Sequence, residues 1–555
     1  MDNGQIKKQN FLMQGSILAI AGLLVRLIGL IYRIPMIAII GTKGSGYYTS
    51  AYSVYTLFLI LSSYTFPSAI SKIISQKLAN GRFLDIKNTV KSALILAFFV
   101  GLLMFSLMYF GADFISLIFR KPLLRFALRA LAPTLFIMAF LGIFRGVFQG
   151  MGNMVPTAIS QIFEQIANAI SSIVFAFILV GKGRIANLIY DSEEYTYAFG
   201  ARGGAIGTGV GAFVALAVLI FMFLNLFKKY KKFLNNNNYY EPESKSKIYY
   251  VLITTMVPII ISSTIYNVTS VVDDLVFSNT MTFLKSDLNI VVLWGIYGNY
   301  HLLFNIPVAI SSSLTASIIP SISQSVAINN AREVVLKVRY SIKYTMLIVL
   351  PAFVGLYVLA DPICKVLFNS EYVDILINVL RIGSVAVVFF SLATVTNGIL
   401  QGLGYLNVPV KNAVISLVAH VAISLVLLIA FKLNIYAIII SMIFFSLILF
   451  ALNQRFINSI IRYKNPKMRT RNLFTYFLMF LSSVVMGFTA FILNSRLETS
   501  ILRSGSQVSL VIRLIICIGV SLVEYLVLII LFGVVRKRDA EYIPFISKLS
   551  VFLRG

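Results

Sequence analysis

Two arginines lie inside an apolar stretch of thirty residues near the start of the sequence, at 11–40. Arg26 and Arg33 are seven positions apart, which is close to two helical turns, so both side chains should project from one side of a helix about 10 Å apart. An arginine at mid-membrane depth costs about 2.5–3.5 kcal/mol on insertion scales and therefore normally faces a bundle interior or a wet cavity. Such a pair of guanidinium groups could bind a phosphate. The alternative is that Arg33 reaches a membrane interface while Arg26 pairs with a carboxylate.

Other ionisable residues also interrupt apolar segments. The carboxylates are Glu164, Asp273, Asp274 and Glu524, and the basic or titratable groups include Lys72, Arg145 and His301. A carboxylate in such a place could bind a cation, carry a proton or neutralise an arginine. Because most of the cations belong to the first half of the chain, we expect an asymmetric cavity that suits a phosphate-bearing substrate, whereas an exporter of cationic drugs would need the opposite charge.

Membrane-spanning helices must position these residues. The chain has 555 residues, is 59% hydrophobic and 12% charged, and has a mean hydropathy of +0.89, which excludes a soluble protein. We predict an all-α integral membrane protein with about fourteen transmembrane helices. The predicted spans are 11–40, 47–75, 88–110, 123–149, 156–180, 203–227, 248–278, 291–325, 341–360, 373–402, 409–431, 434–460, 472–494 and 507–534.

The net charge of +27 follows the predicted topology. Most Lys and Arg residues fall in the even-numbered connections and at the termini, including basic clusters at 228–232, 462–471 and 536–538. The positive-inside rule then places both termini in the cytoplasm. We therefore interpret the basic excess as topology and contact with anionic lipid, and we expect no nucleic-acid partner.

The two halves of the chain repeat one pattern. ADFISLIF at 112–119 returns as ADPICKVLF at 360–368, and GVFQGMGNMVP at 146–156 returns as GILQGLGYLNVP at 398–409. Six spans per repeat give both halves the same orientation, so an axis along the membrane normal should relate them, with the substrate path between them. The predicted division is an N-terminal six-helix lobe at 1–227, a cytoplasmic linker at 228–247, a C-terminal six-helix lobe at 248–460, and two additional helices with a cytoplasmic tail at 461–555.

Several motifs resemble one family of transporters. LAIAGLLVRLIGLIYRIPMIAIIG, followed by GSGYY, AYSVY, PSAISKIIS, the ADPI repeat and GILQGLG, resembles the SpoVB/YtgP branch of polysaccharide transporters in the MOP superfamily, which is similar to MurJ-type lipid II flippases. The resemblance covers essentially the whole chain. It implies two six-helix lobes, alternating access, and export of an undecaprenyl-pyrophosphate-linked sugar for peptidoglycan or a related polymer.

The resemblance also implies roles for individual residues. The family's first-helix arginines match Arg26, and Arg33 with a one-residue shift, while Lys72 falls near a basic position at the end of the second helix. Some members carry an arginine in the eighth helix, where this chain has Tyr300 and His301. The predicted substrate-binding residues are therefore Arg26, Arg33, Lys72, Arg145, Glu164, Tyr300 and His301.

Relatives hold a sodium ion in the second lobe, which suggests ligands here by position. The matching residues are Asp273 or Asp274, Asn412, Ser416, Ala437 and Ser441. Ser416 replaces an aspartate of the family pattern, so sodium, protons or membrane potential remain alternative driving forces. No other cofactor is expected.

Asp273 and Asp274 are the predicted coupling residues. In an empty cavity one of them would neutralise Arg26 or Arg33 across the lobes, because unpaired charges in a low dielectric are costly. An incoming pyrophosphate would compete for the arginine and so favour one arrangement of the lobes. The alternative is that an aspartate caps a helix break or pairs locally.

These observations predict a monomeric flippase in the bacterial cell membrane that transfers lipid II, or a related lipid-linked oligosaccharide, from the inner to the outer leaflet. Its expected partners are the lipid-linked glycan and membrane lipids. The alternatives are a cation-coupled multidrug exporter of the same fold and a non-transporting scaffold of cell-wall or sporulation machinery. We expect no enzyme, because a membrane-embedded transferase would need an acidic or histidine cluster in a polar connection, and no predicted connection has one.

Overall fold

The computed structural model describes residues 3–234, 243–286, 288–368, 370–464, 471–499 and 507–535. These residues form helices and connections without any strand, which confirms the predicted all-α class. The chain divides into two compact units, Met1–Gly298 and Asn299–Gly555. We call them the first and second units.

The described residues of the first unit form nine complete helices. They are α1 (Asn3–Leu59), α2 (Phe66–Ala79), α3 (Phe83–Phe110), α4 (Ala112–Ile118), α5 (Arg125–Gly150), α6 (Val155–Tyr190), α7 (Glu194–Leu234), α8 (Lys245–Asn267) and α9 (Thr269–Phe283). A π-helical turn, Ile60–Tyr64, joins α1 to α2, and a short 3-10 turn, Pro122–Leu124, precedes α5.

The boundary between the units falls within α10 (Ile290–Ala327). The other helices of the second unit are α11 (Ala331–Val358), α12 (Ala360–Leu367), α13 (Val373–Gly402), α14 (Asn407–Ile429), α15 (Asn434–Lys464), α16 (Arg471–Thr499) and α17 (Gln507–Leu531). The predicted lobes divide the chain by its sequence repeat, which assigns α8 and α9 to the second lobe. Packing places these two helices in the first unit. The division into lobes stays a prediction.

Helix α1 reverses direction at Gly41, whose φ of 70° and ψ of 176° break the helix. A straight helix would separate Arg33 from Tyr52 by about 28 Å, yet the Arg33 guanidinium carbon lies 5.2 Å from the centre of the Tyr52 ring. The two parts of α1 therefore run back along each other. We call them the first arm (3–40) and the second arm (42–59). The first arm contains the predicted span 11–40, and the predicted span 47–75 runs from the second arm into α2.

Twelve segments among the described residues are long and apolar enough to cross a membrane. One of them, Ile20–Ala79, contains part of the first arm, the whole second arm and α2. The predicted seventh span at 248–278 is present as α8 and α9, which are separated by a break at Val268. The structure thus agrees with a multi-pass membrane protein of about fourteen spans.

Glycines on α7 allow close packing against α6. A Cβ atom added to Gly203 would overlap the carbonyl oxygen of Phe175, and one added to Gly207 would overlap Ser172. Small residues of this kind let transmembrane helices approach to backbone contact. The contact fixes the rotation of α6, whose polar residues form part of the site described below.

In the second unit, α13 is the central helix and contacts α11, α12, α14 and α15. The hairpin of α16 and α17 packs on α11, where the Tyr525 hydroxyl donates a hydrogen bond of 2.8 Å to the carbonyl oxygen of Leu347. The two additional C-terminal helices therefore belong to the second unit.

Glu243, at the end of the predicted linker, attaches the start of α8 to α2 and α3. Lys77 Nζ donates to Glu243 Oε2 at 2.9 Å, and Arg82 Nη1 donates to Oε1 at 3.1 Å. The Glu243 backbone N–H donates to Asp85 Oδ1 at 2.9 Å. The hydrogen bond from Lys77, with the positive charges of Lys77, Lys247 and Arg82, holds the pKa of the Glu243 carboxyl below its usual range.

The Glu243→Gln substitution should therefore destabilise the protein in a pH-dependent way. Because the folded-state pKa is lowered, the stabilisation is present above the unfolded value of about 4.3 and is lost as the pH falls through the folded-state pKa. At neutral pH we expect a loss of about 1–2 kcal/mol, since Lys77 is left without its counter-charge.

Thermal unfolding of the purified protein in detergent between pH 7.5 and pH 3.5 checks this prediction. The matched control is Glu193→Gln, because Glu193 is an exposed acid. The role given to the Glu243 carboxylate would be contradicted if the unfolding midpoints of wild type and Glu243→Gln differed by the same amount across this pH range.

Candidate functional site

Arg33 rests on tyrosines of the second arm. Its guanidinium carbon lies 5.2 Å from the ring centre of Tyr52 and 5.8 Å from that of Tyr48. Tyr48 and Tyr52 stack at 5.7 Å, and Tyr55 follows at 5.6 Å from Tyr52. The spacing of four and three residues places these three tyrosines on one side of the second arm. We call them the tyrosine shelf.

The shelf holds the Arg33 cation without neutralising it. Arg33 is half-buried, and among the described residues it forms no ion pair with a carboxylate. Aromatic faces attract a guanidinium electrostatically and limit its orientations, by about 0.5–2 kcal/mol depending on desolvation. Its positive charge is therefore available to an anion.

Arg26 lies two turns earlier on the first arm, as predicted, and its side chain is exposed on the first unit. Lys72 is exposed on α2. The structure thus places these three predicted basic residues in the first unit, and Arg33 lies on the tyrosine shelf.

Arg145 and Glu164 form an ion pair between α5 and α6. Arg145 Nη2 lies 2.6 Å from Glu164 Oε2, and Arg145 Nε donates to Ser160 Oγ at 3.2 Å. The Arg145 side chain is 11% exposed and that of Glu164 is 24% exposed. Their mutual pairing explains how both charges are tolerated inside a helical bundle.

Helix α6 presents a stripe of polar side chains four residues apart. They are Ser160, Glu164, Asn168 and Ser172. Asn168 Nδ2 donates to the Tyr32 hydroxyl at 3.3 Å, which ties the stripe to the first arm. Glu164 also lies close enough to Tyr52 and Tyr55 to interact with them electrostatically. Arg33, the tyrosine shelf and the Arg145–Glu164 pair therefore form one polar region of the first unit.

Asp274 has a partner that the sequence analysis missed. Lys121 Nζ lies 2.6 Å from Asp274 Oδ1 and also donates to Ser50 Oγ at 2.8 Å. Asp274 therefore pairs with Lys121 and not with the expected Arg26 or Arg33, while for Asp273 the expected pairing stays a prediction. No motif marked Lys121, because it belongs to a short connection 153 residues away from Asp274. The neighbouring Asp273 is buried as well.

Tyr300 and His301 lie in the second unit. The Tyr300 ring is fully buried, and its hydroxyl donates to the Gly383 carbonyl oxygen at 3.0 Å, which joins α10 to α13. His301 Nδ1 lies 2.7 Å from Asn305 Nδ2. In this conformation Tyr300 packs two helices together, and the role of both residues in substrate binding stays a prediction.

Four of the predicted sodium ligands lie in the second unit and supply only neutral oxygens. Asn412 Nδ2 donates to Asn453 Oδ1 at 2.8 Å, and the Ser416 hydroxyl donates to the Asn412 carbonyl at 2.8 Å. Ser441 likewise donates to a carbonyl of its own helix, and Ala437 offers only its backbone.

The acidic members of the predicted sodium set, Asp273 and Asp274, belong to the first unit. The part of the chain that the structure describes holds no cluster of three His, Cys, Asp or Glu residues suited to a metal. The neutral donors of the second unit fit a weakly held monovalent cation at best, so sodium coupling stays a prediction.

Comparison with known proteins places these features in a family context. Residues 11–326 match the polysaccharide biosynthesis protein family, and residues 297–426 match the MatE family. The lipid II flippase MurJ of Bacillus subtilis is 24% identical over 434 residues, which are 75% of this chain and 76% of that protein.

Stage V sporulation protein B of Bacillus subtilis is 24% identical over 556 residues, covering 98% of this chain and 99% of its own length. Among solved structures, the lipid II flippase MurJ in an inward closed conformation aligns with a TM-score of 0.62 at 14% identity, over 93% of this chain and 98% of that one. The fold is therefore shared along nearly the whole chain.

The Arg145–Glu164 pair should behave as a coupled unit in stability measurements. Arg145→Met or Glu164→Met alone leaves the opposite charge buried, so each should cost up to about 3 kcal/mol. The double substitution leaves two apolar side chains in contact and should cost less than the sum, with a coupling energy of about 1–3 kcal/mol.

A double-mutant cycle of apparent unfolding midpoints in detergent measures this coupling. Asn168→Ala serves as the control on the same stripe, and its effect should add to that of either single variant. Additive effects of Arg145→Met and Glu164→Met would show that the two side chains do not depend on each other.

Proposed function

We propose that this chain, which belongs to the polysaccharide biosynthesis protein family within the MOP superfamily of transporters, is a flippase for an undecaprenyl-pyrophosphate-linked cell-wall precursor. The proposed substrate is lipid II or a related lipid-linked oligosaccharide. It moves from the inner to the outer leaflet by alternating access of two lobes.

One observation carries the proposal: Arg33 has no carboxylate partner among the described residues and rests on aromatic rings. A charge that is held in a membrane protein without a counter-ion needs an anion to complete it. A guanidinium donates two parallel hydrogen bonds to phosphate oxygens, so a pyrophosphate is a fitting ligand.

The chemical task explains why a polar region inside a helical bundle is needed. Pyrophosphate and sugar groups lose their hydrogen bonds to water in hydrocarbon, and each unsatisfied polar group costs several kcal/mol there. In the proposed mechanism Arg33 and Arg26 bind the pyrophosphate, while Glu164 holds Arg145 beside it. The polyprenyl tail stays in the lipid, so only the head group enters the protein.

The sequence suggests the membrane, the orientation and the lobes for this mechanism. We propose a monomer in the bacterial plasma membrane with both termini in the cytoplasm, since most basic residues fall on that side. The proposed lobes are 1–227 and 248–460, related by the sequence repeat. The driving force is sodium, a proton or the membrane potential.

A multidrug exporter is the second candidate, and the match of residues 297–426 to the MatE family favours it. Cationic drugs, however, need acidic or aromatic groups without nearby positive charge. The polar region of the first unit combines one paired arginine with Arg33, which has no acidic partner in the part of the chain that the structure describes. Its charge therefore suits an anionic substrate better.

Reconstituted vesicles separate the two candidates. The purified chain is placed in proteoliposomes with fluorescent lipid II, and a membrane-impermeant quencher reports how much probe reaches the outer leaflet. A parallel assay follows uptake of a fluorescent cationic dye. Lipid II transfer without dye transport supports the proposal, and dye transport without lipid II transfer would replace it with the exporter function.

Replacing Arg26 or Arg33 by alanine should lower lipid II transfer at least about tenfold while the protein still inserts, because one charge-assisted bidentate contact is worth about 1.5–3 kcal/mol. Lysine at position 33 should rescue poorly, since it lacks the planar fork. The control is Arg332→Ala, which removes an exposed arginine at the start of α11. Wild-type transfer by both alanine variants would refute the assignment.

Transfer should depend weakly on sodium. Ser416 stands where relatives carry an acid, and fewer anionic ligands lower cation affinity. Initial rates are compared in sodium and choline buffers at a fixed membrane potential, and we expect a difference of less than about threefold. Ser416→Asp is the matched variant and should increase the sodium dependence. A tenfold or larger loss of wild-type transfer in choline would contradict this prediction.

A further inference from the structure

A second buried ion pair in the first unit has no role in the proposed binding region. Lys121, between α4 and α5, and Asp274, on α9, are joined at 2.6 Å, and the side chains of both are 0% exposed. Lys121 Nζ also donates to Ser50 Oγ on the second arm and lies 5.0 Å from the Trp294 ring at the start of α10. Ser278 donates to Asp274 Oδ1 at 2.9 Å. We call these five residues the Lys121 cluster.

The pair is poorly explained as a source of stability. Two charges in a dry interior lose hydration that their attraction barely repays, and apolar residues of similar volume are often as stable. Asp274 Oδ2 is moreover buried without a hydrogen-bond partner. The attraction within such a pair is strong while water is excluded and weak once water enters, and both charges gain hydration when the contact opens. This property suits a contact that must form and break.

Backbone contacts beside the cluster also suit an interface that must form and break. A Cβ atom on Gly295 would overlap the carbonyl oxygen of Thr42, and one on Gly46 would overlap the carbonyl oxygen of Val291. The start of α10 and the second arm therefore touch along their backbones. Glycines at both positions allow a tight approach with no interlocking side chains.

The positions in the chain indicate which end of the bundle is involved. The reversal at Gly41, the connection that contains Lys121 and the connection between α9 and α10 are the first, third and seventh connections of the predicted topology. Odd-numbered connections lie on the outer side by the positive-inside rule. On the predicted topology the cluster therefore lies at the outer end of the first unit.

The sequence repeat adds a reason for movement. Helices α9 and α10 belong to the second repeat, yet the Lys121 cluster fastens α9 and the start of α10 to helices of the first repeat. Opening a two-repeat transporter toward the outside must separate these segments. A contact that is dry when closed and hydrated when open has two distinct states, as a switching element requires.

We propose that the Lys121–Asp274 pair is a lock on the outer end of the protein, formed in the conformation described here and broken when the outer end opens. The proposal rests on the alternating access of the proposed function but not on the identity of the substrate. It assigns Lys121, Asp274 and Ser50 a role in the conformational equilibrium.

Cysteine accessibility tests the lock without any substrate. Cys364 and Cys517 are replaced by serine, and Ser53→Cys is the reporter; we call this protein the parent. Ser53 lies on the second arm, where its hydroxyl donates to the carbonyl oxygen of Thr49, one turn earlier. A membrane-impermeant maleimide is added to the outside of right-side-out vesicles. Lys121→Met or Asp274→Asn should each raise the labelling rate at least about fivefold, because the remaining buried charge favours the open, hydrated state.

The double variant Lys121→Met/Asp274→Leu distinguishes a lock from simple damage. It leaves neither buried charge of the pair, so the outer end should stay closed. Its labelling rate should remain within about twofold of the parent's rate. Labelling at the parent rate by both single variants would overturn the proposal. So would a double variant that reacts as fast as the single ones.

Gly295→Ala provides a test that leaves the charges in place. Its new Cβ would overlap the Thr42 carbonyl oxygen, so the closed contact should weaken and external labelling should rise. Gly519→Ala is the control, because a Cβ there meets no atom within 4 Å. If a well-inserted Gly295→Ala protein is labelled at the parent's rate, the closed contact is refuted. Because no lipid substrate is needed, failure of this test is distinct from failure of lipid II transfer.

Discussion

The cost of an unpaired charge in a membrane-spanning bundle organises this structure. Arg145 is satisfied by Glu164 on the next helix, and Lys121 is satisfied by Asp274 on a distant one. Arg33 differs, because it rests on tyrosine rings that attract a cation, and within the described ranges no carboxylate pairs with it. The same physical cost applies to every ionisable group within the membrane spans, and the proposed substrate pyrophosphate would supply the missing negative charge at Arg33.

Close helix packing makes that arrangement specific. The glycines of α7 bring α6 to backbone contact, and this fixes the direction of the polar stripe that carries Glu164 and Asn168. The reversal at Gly41 returns the second arm along the first, so that tyrosines late in α1 meet an arginine early in it. The side chains of the polar region are thus positioned by glycine and backbone contacts that carry no charge themselves.

The relationship to MurJ and stage V sporulation protein B extends over most of the chain at low identity. At that distance the fold and the superfamily are shared, while individual contacts are free to differ. In this chain a lysine, Lys121, lies next to the Asp274 carboxylate. Family resemblance suggested a coupling cation for the acidic pair, whereas the structure supplies an internal ammonium group to one of its members.

The sequence by itself determined the features that depend on local composition and periodicity. The membrane spans, the basic bias of one side, the repeat and the placement of Arg26 and Arg33 on one side of a helix all follow from neighbouring residues. Only the tertiary structure decided the partners: the tyrosine shelf under Arg33, Glu164 for Arg145, and Lys121 for Asp274. Pairing depends on how helices distant in sequence are rotated and packed against each other, and neither hydropathy nor residue spacing within one helix contains that information.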